Sequence, residues 1–113
     1  MATADCIFCR IGRGEIPADK LHDDGTVFAI RDINPKAPTH LLVIPHVHVS
    51  ALAEESEAAR AAAAACLAAA GPIAARAGVG SYRLVANQGA DAGQEVPHFH
   101  LHILGGRRLG AMG

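Results

Sequence analysis

A chain of 113 residues that is 50% apolar but only 4% aromatic can form one domain, 1–113, with a modest core of Leu, Ile, Val and Ala. Ten Lys+Arg against eleven Asp+Glu leave a formal net charge of -1 with no block of like charge, so no nucleic acid or membrane surface is expected as a partner. Met1-Ala2-Thr3-Ala4-Asp5 has neither a basic nor an apolar leader segment, and no apolar run is expected to reach the roughly 20 residues of a bilayer span, so the expected compartment is the cytoplasm.

The first element is a short helix over Cys6 to Gly12, capped by Asp5 and ended by Gly12 or Gly14. Ile7, Phe8 and Ile11 share one side of it, a stripe that suits either a core or a pocket wall. Glu15-Ile16-Pro17 breaks the helix. A strand at Lys20 to His22, a turn at Asp23-Asp24-Gly25 and a strand at Val27 to Ile30 follow. Asp32 to Thr39 is a loop stiffened by Pro35 and Pro38, where Asp32 is either a ligand contact or a turn cap. His40 to Pro45 is the apolar run of a central strand.

Glu54 to Ala77 is the long helix, rich in alanine, with Leu67, Ile73 and Cys66 on its buried side. Gly71-Pro72 should kink or interrupt it, because Pro72 cannot donate to the carbonyl of Ala68. Tyr82 to Asn87 alternates as a strand, and Gln88 to Val96 is a loop containing Gly89 and Gly93. The whole reads as an α+β fold: a five-stranded antiparallel sheet with one short and one long helix, both on one side.

The last strand carries the chemistry. In His98-Phe99-His100-Leu101-His102-Ile103 the period of two sends Phe99, Leu101 and Ile103 into the core and three imidazoles to the other face. One metal bound by all three is disfavoured, since His98 and His102 lie about 13 Å apart along a straight strand. Cys6-x-x-Cys9 has zinc-ligand spacing, and His48 and His98 are natural third and fourth ligands. A redox pair or two thiols without metal are the alternatives; three cysteines, an odd number, fit no disulfide framework. His100 and His102 are then left for chemistry. A neutral imidazole whose other nitrogen is held by an acceptor is a nucleophile toward phosphorus, and a neighbouring imidazole can bond a phosphate oxygen. Gly89 and Gly93 allow backbone amides to approach that phosphate.

His98-Phe99-His100-Leu101-His102-Ile103-Leu104 resembles the motif of the histidine triad (HIT) superfamily. Cys6-Ile7-Phe8-Cys9, Glu15-Ile16-Pro17, Asp32 to His40, Val43-Ile44-Pro45 and Asn87 fall in family order, and Gly105-Gly106-Arg107 is similar to the HINT branch, the purine nucleoside phosphoramidases. The resemblance implies a homodimer whose sheet continues through ten strands. It implies hydrolysis or transfer at the α-phosphate of purine nucleotide conjugates, such as AMP-NH2 or AMP-lysine, through a nucleotidyl-His100. His98 would orient His100 through its carbonyl, and His40 would support the triad. His102, Asn87 and the Gly93-Gln94-Glu95 segment would meet the nucleotide. Asp32 would accept the ribose hydroxyls, and Phe8, Ile11, Ile16 and Ile33 would enclose the base. Cys6, Cys9, His48 and His98 would hold a structural zinc. A dinucleoside polyphosphate hydrolase and a nucleotide-binding regulator are the competing readings. Glu95 and Pro97 depart from the animal pattern, which has serine and often tyrosine there, and an ionised Glu95 beside a phosphate would repel it.

Overall fold

A computed structural model describes residues 5–113. Residues 1–4 of the N-terminal stretch read above for a leader lie outside the described residues. The elements are α1 (Ile7–Gly12), β1 (Lys20–Asp23), β2 (Val27–Arg31), β3 (Thr39–Pro45), α2 (Glu57–Arg76), β4 (Tyr82–Val85), a 3-10 turn (Ala90–Ala92) and β5 (Leu101–Gly105). The sheet order is β1-β2-β3-β5-β4, and every neighbouring pair is antiparallel. The run His40 to Pro45 becomes the central strand, as its continuous apolar character requires.

The two helices lie on opposite faces of this sheet, contrary to the one-sided arrangement expected. Alternation along β2 shows it. Val27 and Ala29 join Leu41, Val43, Phe99, Leu101 and Ile103 in the core under α2, whereas Phe28 and Ile30 join Leu42 and Ile44 in a second core with Cys6, Phe8, Cys9 and Ile11 of the α1 region. A six-residue helix carries too little pattern to announce its side of the sheet. Its N-cap is Cys6 rather than Asp5, and no side chain caps it.

The long helix begins at Glu57, where Ser56 accepts the Ala59 amide at 3.0 Å. Glu54 instead accepts the Ser50 amide and hydroxyl before the helix starts. Leu67 is 56% exposed, so it is not on the buried side; Ala59, Ala62, Cys66, Ala70, Ile73 and Ala74 form that side. These small residues let the helix approach the sheet closely. The helix runs unbroken through Pro72. Pro72 and Ala68 both face solvent, so water can satisfy the carbonyl that loses its donor. With an 18-residue stretch of mean hydropathy 1.4 inside its 20 residues, α2 is also long and apolar enough to cross a bilayer, which corrects the expectation that no segment would be. Its alanine-rich face is seated on the sheet instead.

The histidine strand is shorter than its pattern. β5 starts at Leu101, because Pro97 lacks an N–H and a bend at residues 96–98 interrupts the ladder. The alternation nevertheless continues upstream, with Phe99 4% exposed on the α2 side. Nor do the imidazoles stand out toward solvent: His98 is fully buried and His100 is 9% exposed. Phe8 of α1 covers both rings edge-on, at centroid distances of 5.8 and 5.1 Å.

Candidate active site

The hydrogen bonds around the triad assign a proton to each ring nitrogen. The His98 carbonyl can only accept, so His100 Nδ1 donates to it at 2.8 Å. The lone pair of neutral His100 is therefore on Nε2. The Lys36 amide can only donate, and it donates to His40 Nδ1 at 3.0 Å. The His40 proton must then sit on Nε2, which donates to His102 Nδ1 at 2.8 Å. His102 is left with its proton on Nε2. The two catalytic candidates thus present opposite functions: a lone pair on His100 and an N–H on His102. Their ring centroids are 5.0 Å apart.

Burial keeps His102 and His40 neutral. It pushes the His102 pKa down to about 4, helped by neighbouring His100 and His40. Burial also lowers His40, against the opposing pull of Asp32. Asp32 Oδ2 lies 3.4 Å from His40 Nε2, while Oδ1 accepts the Asn34 amide at 2.8 Å.

Both rings border a cavity of about 610 Å³. Phe8 and Ile11 wall it from α1, and Ile30, Leu42, Val85 and Leu104 wall it from the sheet. Asp32, Asn87, Gly93, Glu95 and His40 add polar groups at its border. Mostly apolar walls with a few convergent polar groups are what a small-ligand site offers. Gly93 sits at φ +105, a backbone open to glycine and strained for other residues, beside the Asn87 side chain.

Not every candidate reaches the cavity. Ile16 packs against the core under α1 and does not line it. Gln94 also stays outside and ties the loop together: its Oε1 accepts the Gly89 amide, and its Nε2 donates to the carbonyls of Ser50 and Val96. Ile33 is at the rim but 93% exposed, so it encloses nothing in this conformation. Ile30, Leu42, Leu104, Val85 and Lys36 line the cavity although the sequence reading passed over them. Period two would have found two of them: Leu42 follows His40, and Leu104 follows His102, on the same face.

A second group of side chains sits behind the triad. Cys6, Cys9, His48 and His98 bring their donor atoms together. His98 Nε2 donates to the Pro45 carbonyl at 2.8 Å, so its Nδ1 lone pair faces the group. That nitrogen lies 3.3 Å from Cys6 Sγ, 3.5 Å from Cys9 Sγ and 3.2 Å from His48 Nδ1. His48 Nδ1 is 3.3 Å from Cys9 Sγ. A tetrahedron with zinc bonds of about 2.0–2.3 Å has edges of about 3.3–3.8 Å, which these spacings match. Burial and the adjacent Cys6 push the Cys9 thiol up to about 11, so two thiolates here call for a cation. Burial likewise lowers His98 to about 4, keeping its lone pair available. The residues fit zinc.

Asp32, His40 and His102 also lie close enough for a metal, but the ring lone pairs that would serve it are spent. His40 Nδ1 accepts from Lys36, and His40 Nε2 carries the proton given to His102. The remaining histidines stand apart: His46 bonds Asp23 at 2.8 Å, and His22 bonds Asp24 and Arg76. Cys66 is a buried thiol on the sheet-facing side of α2, its pKa pushed up to about 12 by burial.

The pattern recurs in known proteins. The family described as "HIT domain" matches residues 13–109. The chain is 42% identical to the purine nucleoside phosphoramidase of Escherichia coli K12 over 110 residues, 96% of this chain and 92% of that one. The solved histidine triad protein of Clostridium difficile superposes with a TM-score of 0.91 at 38% identity, covering 100% of both chains. A zinc-bound histidine triad family protein from Mycobacterium smegmatis matches with a TM-score of 0.77 at 30% identity, over 94% of this chain and 78% of that one. With the triad, its opposed ring protons and these likenesses together, the chain belongs to the HIT domain family.

Proposed function

We propose that the chain, acting as one domain in the cytoplasm, hydrolyses purine nucleoside 5'-phosphoramidates to the nucleoside monophosphate and free amine. One observation carries this reading: His100 Nδ1–H is committed to the His98 carbonyl, which aims a neutral Nε2 lone pair at the cavity that His102 also borders. The likeness to the E. coli phosphoramidase supports the substrate class.

In the first step His100 Nε2 attacks the α-phosphorus. A bond from phosphorus to Nε2 forms as the bond to the amine nitrogen breaks, and the amine leaves with one proton taken from solvent. One P–N bond replaces another, so the exchange is close to balanced. His102 Nε2–H bonds a non-bridging oxygen as charge builds there. Water then attacks phosphorus, the P–Nε2 bond breaks, the electron pair returns to His100, and the water proton passes to solvent. Asp32 accepts the ribose hydroxyls, and Phe8 and Ile11 hold the purine against the apolar wall.

We also assign zinc to Cys6, Cys9, His48 and His98. It supplies no step in this chemistry. It would tie α1, the segment after β3 and His98 together, and His98 in turn orients His100. We propose a homodimer as well; the family resemblance supports it, as does β4, which pairs only with β5 among the described residues and leaves one sheet edge open. Two such edges joined would make ten strands.

Incubation with an AMP–lysine phosphoramidate tests the reading. Wild type is expected to release AMP, and His100→Ala to lose on the order of 10³-fold or more. No AMP from wild type, or full activity in His100→Ala, refutes it.

A further inference from the structure

The charges around the cavity are unevenly placed. Arg31, Asp32 and Lys36 belong to the end of β2 and the loop after it. The sheet order β2-β3-β5-β4 puts that loop and the β4 end bearing Asn87 on opposite sides of β5. The connection that leaves β4 contributes Asn87, Gly93, Glu95 and Val96 to the cavity border, and no cation. Asp32 accepts the Asn34 amide through Oδ1 and brings Oδ2 to 3.4 Å from His40 Nε2. Glu95 forms no ion pair with any described residue.

Glu95 is exposed, but its backbone is anchored on both sides. Gln94 makes three hydrogen bonds within the loop and to Ser50, and Val96 packs against the core under α1. Glu95 therefore stays at the rim of the cavity proposed to receive a phosphate. Arg31 and Lys36 lie on the far side of the cavity, so no cation beside Glu95 offsets the repulsion between the two anions there. The substrate itself must bring the offsetting charge.

We propose that Glu95 is a specificity-determining residue that selects conjugates whose amine leaving group carries a second, cationic centre, such as a diamine or a lysine-type side chain. This rests on the phosphoramidase reading above. The nucleoside lies toward Asp32 and Phe8, the phosphate meets His100, and the leaving group extends toward Glu95. A carboxylate about 6 Å from a cation in a half-exposed site changes the preference by about three- to tenfold per charge.

The test compares three AMP phosphoramidates of equal length, built on propylamine, 1,3-diaminopropane and β-alanine. Wild type at low salt is expected to favour the cationic over the anionic conjugate by about tenfold or more in kcat/KM, and added salt should shrink that ratio. Glu95→Gln should bring the ratio to within about twofold, and Glu95→Lys should invert it. Hydrolysis of all three by wild type with no preference, or with one that Glu95→Gln leaves unchanged, overturns the inference and spares the phosphoramidase reading. If wild type does not cleave even the neutral propyl conjugate, the phosphoramidase reading fails and the inference falls with it.

Discussion

Replacing His102 with asparagine should flatten the acid limb of stability. Asparagine keeps an acceptor for His40 Nε2–H but does not titrate. In wild type the His102 pKa falls from 6.5 to about 4 on folding, with burial as the main cause. The unfolded state therefore binds the proton first. Stability is fully present above pH 6.5 and drains away as pH falls through the window from 6.5 to about 4. Integrating between pH 7.5 and 4.5 gives at most about 2.5 kcal/mol from this one ring, and about 1 kcal/mol if water screens part of the desolvation. Urea unfolding of both proteins, zinc-loaded, at the two pH values reads the difference, because other groups largely cancel in the comparison. Wild type should lose about 1–2.5 kcal/mol more than His102→Asn. Equal losses would mean that His102 is not held neutral, and the assignment of an N–H donor at physiological pH would fail with it.

Three further outcomes follow from the geometry. Protein purified without added metal should hold about one zinc per chain, and Cys9→Ser should lose it together with at least about 10 °C of thermal stability; a metal-free wild type of unchanged stability contradicts the assignment. Asp32→Asn should cost about tenfold in kcat/KM on ribonucleotide conjugates and almost nothing on 2',3'-dideoxy conjugates, since the lost bonds are those to the ribose hydroxyls; an equal loss on both would remove Asp32 from the ribose. Gly105→Ala should destabilise by about 1–3 kcal/mol in denaturant unfolding, because an added Cβ would stand 2.5 Å from Val79 Cγ1 and 2.9 Å from the Ser81 carbonyl oxygen.

Much of this was legible in the chain because period two survives burial. The alternation of His98, His100 and His102 with Phe99, Leu101 and Ile103 separates the two faces even where the ladder is broken. The apolar run His40 to Pro45 announced a strand covered on both faces. The same fact held an unused message: a central strand buried on both sides needs a cover on each, so α1 and α2 could not share one. Pro72 misled because a proline's effect depends on whether the freed carbonyl meets water, which is a property of helix orientation. Leu67 misled because α2 buries alanines, and hydrophobicity alone does not say which stripe is small enough to seat closely. The Cys/His group was legible as a spacing. What no spacing showed is that His98 serves two neighbours at once, its ring facing the thiols and its carbonyl holding His100.

The central claim is that His100 Nε2 becomes bonded to phosphorus during turnover. Wild type mixed with an excess of an AMP phosphoramidate, quenched within milliseconds in alkaline denaturant to preserve a P–N bond and analysed by intact mass, should gain one AMP moiety. Peptide mapping should place it on His100, and His102→Asn, slowed in both steps, should still show it. Rapid AMP release with no adduct at any quench time, or an adduct on a residue other than His100, would contradict the account.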